Sequence, residues 1–169
     1  NSEKYYNILS KKEDSMKKGE VALESLRTTY RKKIWTKFVK AVKDFDLIED
    51  GDRIAVGVSG GKDSLLLCKL FQEMKRDRSK NFEVAFISMN PGFQAMDMAQ
   101  FKANLEELDI PCEVFEANVW EIAFKEDPEK PCFLCAKMRR GVLYNKVEEL
   151  GYNKLALGHH FDDVVETTL

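Results

Sequence analysis

The stretch AVGVSGGKDSLLL, Ala55–Leu67, decides how the rest of the chain is read. An apolar, β-branched run leads through two glycines into lysine, aspartate, serine and a leucine run. The first part predicts a strand buried on both faces and the last part a helix, with the turn Ser59-Gly60-Gly61 between them. This order aims several backbone N–H groups and the positive end of a helix at one place, which is an anion site. Gly60 and Gly61 allow positive φ and close approach of the backbone to a phosphate. Ser59 and Ser64 offer hydroxyls, Lys62 a point charge and Asp63 an oxygen for Mg²⁺.

Spacing excludes two common phosphate loops. A Walker A loop needs G-x-x-x-x-G-K-[ST], whereas Lys62 is followed by Asp63 and the residue five before Gly61 is Val56. Gly57, Gly60 and Gly61 also miss the G-x-G-x-x-G spacing of a dinucleotide fold. The remaining short turn suits pyrophosphate.

Beyond this loop, FEVAFISMN (82–90) predicts a second strand, GFQAMDMAQFKANLEELD (92–109) a helix and IPCEVFEAN (110–118) a third strand. A loop with Pro128 and Pro131 leads to a helix through CAKMRRGVLYNKVEELG (135–151), a fourth strand KLALGHH (154–160), and a further helix from about Asp162. Strands alternating with helices predict an α/β, doubly wound parallel sheet with helices on both faces. Ligands bind such sheets at the carboxyl ends of the strands. SGGKDS, SMNPG and GHHFDD all fall there, which makes Met89, Gly158 and His159 further candidates for nucleotide contact.

Residues 1–22 are polar and read as a tail or short capping element. From Leu23 to Phe45, apolar Leu23, Leu26, Tyr30, Ile34, Trp35, Phe38, Val42 and Phe45 recur at helical spacing. Arg27, Arg31, Lys32, Lys33, Lys37, Lys40 and Lys43 fill much of the rest and give this amphipathic helix a basic outer side. Such a side is either a solvated face or a polyanion-binding one.

The 169 residues, 44% hydrophobic and 33% charged, predict about one soluble domain, and the net charge of −2 excludes a uniform nucleic-acid coat. No apolar run approaches the roughly 18 residues of a membrane span and the N-terminus lacks a signal-peptide core, so the cytoplasm is expected, with no membrane partner. The chain starts without Met and stops at VVETTL in an unfinished helical pattern. A fragment without its C-terminal part and last strand is therefore expected.

Four cysteines occur, and only Cys132 and Cys135 form a close pair. C-x-x-C at the start of a basic helix can grip one corner of a metal or cluster that has further ligands, form a redox pair, or simply be core. In GHHFDDVVETTL, His159, His160, Asp162 and Asp163 crowd into five positions. Such a cluster can bind metal, orient phosphates or supply a general base.

SGGKDS after a buried strand is similar to the signature of the PP-loop (N-type) ATP pyrophosphatases, which cleave ATP between the α- and β-phosphates and adenylate a carbonyl oxygen. The order of basic helix, SGGKDS, CFLCAKMRRGVLY and GHHFDDVVET resembles the tRNA 2-thiocytidine synthetases of that superfamily, from about residue 20 to 169. The resemblance implies a Rossmann-like sheet of the adenine nucleotide alpha hydrolase type over residues 23–169. It implies that ATP with Mg²⁺ adenylates O2 of cytidine 32 in tRNA, that pyrophosphate leaves, and that sulfur then displaces AMP. Lys62, Asp63, Asp162 and Asp163 become the catalytic candidates.

It further implies a [4Fe-4S] cluster held by three cysteines, two of which match Cys132 and Cys135, the third lying beyond this chain's end. Cys68 and Cys112 do not match and read as core. Arg139 and Arg140 either stabilise the charge developing on pyrophosphate, grip RNA with Lys137, or are simply a basic helix face. The sulfur donor, a cysteine desulfurase being one candidate, and a homodimer stay open. The alternatives are a 2-thiouridine or ribothymidine thiolase, a lysidine-synthetase-like ligase, which the cysteine pair disfavours, and an ATP-holding module without turnover.

Overall fold

The computed structural model describes residues 17–90, 95–117, 119–126 and 131–159. Its four strands, β1 (Arg53–Gly57), β2 (Glu83–Asn90), β3 (Cys112–Glu116) and β4 (Lys154–Leu157), form one parallel sheet in the order β3-β2-β1-β4. The central β1 sets Ala55 between Ala85 and Leu155. From β1 the chain adds strands on one side and then returns to add β4 on the other. The order reverses between β1 and β4, where crossovers diverge and leave a crevice at the carboxyl edge.

The helices are α1 (Lys18–Arg27), α2 (Thr36–Asp44) after a π-helical turn at Arg31–Trp35, α3 (Lys62–Asp77), α4 (Ala95–Glu107), α5 (Val119–Glu126) and α6 (Pro131–Glu149). Because successive strand side chains point to opposite faces, the short apolar runs feed two cores. Ile54, Val56 and Phe86 pack with Val42 of α2, Phe71 and Met74 of α3 and Leu105 of α4. Edge-on contacts link Phe38 to Phe71 (ring centroids 5.7 Å apart) and Phe71 to Phe82 (6.4 Å). Ala55 and Ile87 face the other way, onto Val147 and Leu143 of α6. The doubly wound α/β expectation holds. Among the described residues, no helix is long and apolar enough to cross a membrane.

Three local readings change. The single helix expected over Leu23–Phe45 is broken at Thr28–Tyr30 and resumes through the π-helical turn. The two adjacent threonines lose side-chain freedom in a helix, and the Thr28 hydroxyl bonds back to the Glu24 carbonyl at 2.8 Å. The break lets α1 lie on α3, with Leu23 and Leu26 buried and Arg27 donating two bonds to Glu73 at 2.6 and 2.8 Å. Arg27 therefore leaves the basic outer side. Helix α1 also begins at Lys18, inside the stretch read as tail, and a Cβ at Gly19 would collide with the Leu108 carbonyl. Finally, α5 lies where a loop was expected, and α6 starts at Pro131 instead of Cys135. Proline suits the first helical position, and α5 is stabilised by Val119 and Ala123 packing near Met138 and Val142 of α6.

At the amino edge of the sheet, buried Asp52 fastens β4 to β1. It meets Lys154 Nζ at 2.7 Å and accepts from Asn153 Nδ2 at 2.8 Å and the Glu49 amide at 2.7 Å. The Lys154 hydrogen bond foremost, with the Glu49 amide and Asn153, holds its carboxyl at about 2 against the burial that opposes ionisation. A depressed carboxylate adds stability that is present above its unfolded pKa, 3.8, and is lost as pH falls through the folded one. Melting temperature is thus expected to drop between about pH 4 and pH 2, and Asp52→Asn should flatten that part of a thermal-melt pH profile.

Candidate functional site

The carboxyl end of β1 makes the turn that the sequence singles out. The Val58 amide bonds to the Ile87 carbonyl at 2.9 Å, extending the β1–β2 ladder to the edge of the loop. Gly60 then adopts φ +82°, open to glycine at little cost. Gly61 caps α3 and brings no side-chain acceptor to the first-turn amides, which have no intrahelical carbonyl. Ser64 braces the turn from within: its hydroxyl donates to the Gly61 carbonyl at 2.9 Å and receives the Ser59 amide at 3.2 Å and the Ser59 hydroxyl at 3.1 Å. Its single proton is thereby used on the loop in this structure.

Two tertiary contacts fix the turn. A Cβ at Gly60 would lie 3.1 Å from two ring carbons of Phe101 on α4. A Cβ at Gly158, just past β4, would lie 3.0 Å from the Asp63 carbonyl carbon and the Ser64 nitrogen. The end of β4 thus rests on the backbone of α3's first turn. Lys62 Nζ reaches both Asp63 carboxylate oxygens, at 2.9 and 3.0 Å, with its side chain 84% exposed. The pair sits at the positive end of the helix, where a carboxylate is favoured and a cation is available to an incoming anion.

A cavity of about 590 Å³ opens over the carboxyl ends of β1, β2 and β4. Of the expected residues, Ser59, Ser64, Met89, Gly158 and His159 line it, and so do Arg139 and Arg140 from α6. Gly60, Gly61, Lys62 and Asp63 form the turn between the lining residues Ser59 and Ser64. The cavity also takes in Ser88, Asp97, Met98 and Phe101, which sequence reasoning missed. Met98 and Phe101 look like any apolar positions of an amphipathic helix, and only the packing of α4 beside the loop gives them a place here.

A family model described as a PP-loop domain matches residues 30–169. The chain belongs to the PP-loop family. Among curated proteins it is similar to the tRNA-cytidine(32) 2-sulfurtransferase of Bdellovibrio bacteriovorus, 40% identical over 139 residues, covering 81% of this chain and 53% of that protein. The protein of the same name from Syntrophotalea carbinolica is 42% identical over 134 residues, covering 77% and 51%. That from Escherichia coli O7:K1 is 34% identical over 164 residues, covering 94% and 50%. Among solved structures, the U34-tRNA thiolase NcsA from Methanococcus maripaludis with its [4Fe-4S] cluster superposes with a TM-score of 0.60 at 26% identity, covering 78% of this chain and 49% of that one. The PP-loop chain spans about half the length of the curated relatives it matches.

Cys132 and Cys135 of the PP-loop chain lie three residues apart at the start of α6. Their side chains, and that of Lys137, lie outside the described residues, as do His160, Asp162 and Asp163 altogether. Two thiolates at C-x-x-C spacing suit two corners of a cluster that is completed by further ligands. Among the described residues, no group of three His, Cys, Asp or Glu is placed to hold a metal. Burial pushes the Cys68 thiol up to about 12 and the Cys112 thiol up to about 11. Neither forms thiolate readily, and both pack in or against the first core, as the sequence led one to expect.

Proposed function

We propose that this PP-loop chain is the adenylating part of an ATP-dependent tRNA thiolase whose target is O2 of cytidine 32. The observation that carries this reading is one cavity in which the N-terminal end of α3 and its glycine turn meet Arg139 and Arg140 from the opposite layer. Anion-binding groups from both sides of a sheet edge suit a triphosphate and a polyanionic second substrate in one place. The names of the curated relatives supply the substrate class.

A cytosine carbonyl oxygen is a poor leaving group, and an O-AMP ester makes it leave. The carbonyl oxygen attacks the α-phosphorus and pyrophosphate departs; sulfide-level sulfur, HS⁻, then attacks the carbon and loses its proton as AMP departs with the oxygen, so a persulfide donor must be joined by a two-electron thiol reductant. The Ser59-Gly60-Gly61 turn and the first amides of α3 hold the β- and γ-phosphates. Lys62 turns from Asp63 to the phosphates as charge develops on pyrophosphate, and Asp63 would hold Mg²⁺, which would supply charge neutralisation at the phosphates. Ser64 holds the turn, while Met89, Gly158 and His159 flank the nucleotide. Arg139 and Arg140 face the α-phosphate or the RNA, joined on the RNA side by Lys137. Asp162 and Asp163 are the further carboxylates. Cys132 and Cys135 would hold two corners of a [4Fe-4S] cluster, which supplies a binding point for the transferred sulfur. A cysteine desulfurase is a suitable donor, and the cytoplasm, where tRNA resides, the suitable compartment.

ATP labelled at the α-phosphate, incubated with unmodified tRNA, Mg²⁺ and a sulfur source, is expected to give labelled AMP and unlabelled pyrophosphate in step with 2-thiocytidine, read by nucleoside mass spectrometry. ADP and orthophosphate as main products would overturn the adenylation reading. The likeness to a U34-tRNA thiolase favours a second reading, and 2-thiouridine in place of 2-thiocytidine would select it.

A further inference from the structure

We propose that the outer face of the π-helical turn and α2, carrying Arg31, Lys32, Lys33, Lys37 and Lys43, is a docking surface for the phosphate backbone of tRNA. This inference rests on the tRNA reading above and adds a surface outside the cavity. Between Thr28 and Lys43 the sequence has six cations and no acid, within a chain of net charge −2. Lys40 pairs with Asp44, and Arg27 is withdrawn into its pair with Glu73. Arg31, Lys32, Lys33, Lys37 and Lys43 are all exposed, and none makes an ion pair among the described residues.

The arrangement works against the helix that carries it. Lys33 and Lys37 are four apart, and Lys37, Lys40 and Lys43 three apart, so like charges adjoin along one side. An external anion would relieve that repulsion. From Arg31 to Lys43 the run is about 18 Å long at helical rise, enough to meet several phosphates of one strand. Exposed Tyr30 stands at its start and offers a ring on which an unpaired base can stack.

A membrane-surface helix needs its apolar side free for lipid. Here Trp35, Phe38, Val39 and Val42 are packed in the first core, so only the charged side is presented. Exposed Phe45 and Leu47 lie beyond the end of α2, which makes lipid the rival to be tested.

The test compares the wild-type protein with Arg31→Gln/Lys33→Gln/Lys37→Gln, whose replaced side chains are exposed and outside the cavity. Binding to tRNA is titrated across KCl concentration, binding to ATP by calorimetry, and binding to phosphatidylserine/phosphatidylcholine vesicles by sedimentation. The slope of log Kd against log salt for tRNA should shrink by about 2–3, and affinity at 0.1 M salt should fall about tenfold or more, while ATP affinity and melting temperature stay as in wild type. Tight tRNA binding by wild type with the same slope and affinity in the variant would overturn the docking surface and leave the tRNA reading standing. Failure of wild type to bind tRNA would overturn both. Charge-dependent binding to vesicles without tRNA binding would assign the face to lipid instead.

Discussion

Lys62→Ala is expected to lower tRNA-dependent AMP formation by about 100-fold or more while the melting temperature stays close to that of wild type. The side chain is 84% exposed, and its partner is the neighbouring Asp63, so the folded state loses one surface ion pair, about 0–1 kcal/mol. In the proposed reaction the same cation would face a pyrophosphate whose charge grows as the bond to the α-phosphorus breaks. An interaction that strengthens toward the transition state is worth far more there than in the resting protein. Lys62→Arg should recover little, because a planar fork in a tight glycine turn cannot replace a compact point charge. Circular dichroism melts beside AMP formation check the split, and a wild-type rate in Lys62→Ala would remove this residue from the machinery.

Gly158→Ala should cut the same activity about tenfold or more and destabilise the fold by about 1–3 kcal/mol. The new methyl group would meet backbone, the Asp63 carbonyl carbon and the Ser64 nitrogen at 3.0 Å, and backbone cannot rotate out of the way as a side chain can. Relief requires β4 and the first turn of α3 to part, which moves the amides proposed to hold the phosphates. Gly141→Ala on α6 is the matched control. Nothing lies within 4 Å of its Cβ, so the fold should hold or gain about 0.5–1 kcal/mol from the helix interior, with activity kept. Thermal melts and the KM for ATP separate the two glycines. An inert Gly158→Ala would mean that the close approach of β4 to the loop does not position it.

The turn Ser59-Gly60-Gly61 and the strand and helix around it were legible because they are local. A buried apolar run, glycines permitting φ +82° at Gly60 and a helix start are all written within a dozen residues. The parallel sheet was legible for a similar reason: each short apolar run is self-contained, and alternation with helices leaves few topologies. Cys68, read as core because it does not match the cysteines of the family pattern, is fully buried.

Tertiary structure decided the rest. The eight residues of α5 are too few to hold a helix alone, so its formation waits on α6. Arg27 was counted with the basic stripe because its sequence neighbours are basic, but its partner Glu73 is 46 residues away. Phe101 and Arg139 belong to opposite helical layers, and their sequence surroundings say only amphipathic helix and basic helix. What brings them to one cavity is the return of the chain across β1 to form β4. Local sequence determines most of the elements, α5 excepted, through propensity and periodicity. Which side chains share a site is settled by burial of apolar faces between elements far apart in sequence, and no window of neighbouring residues contains that information.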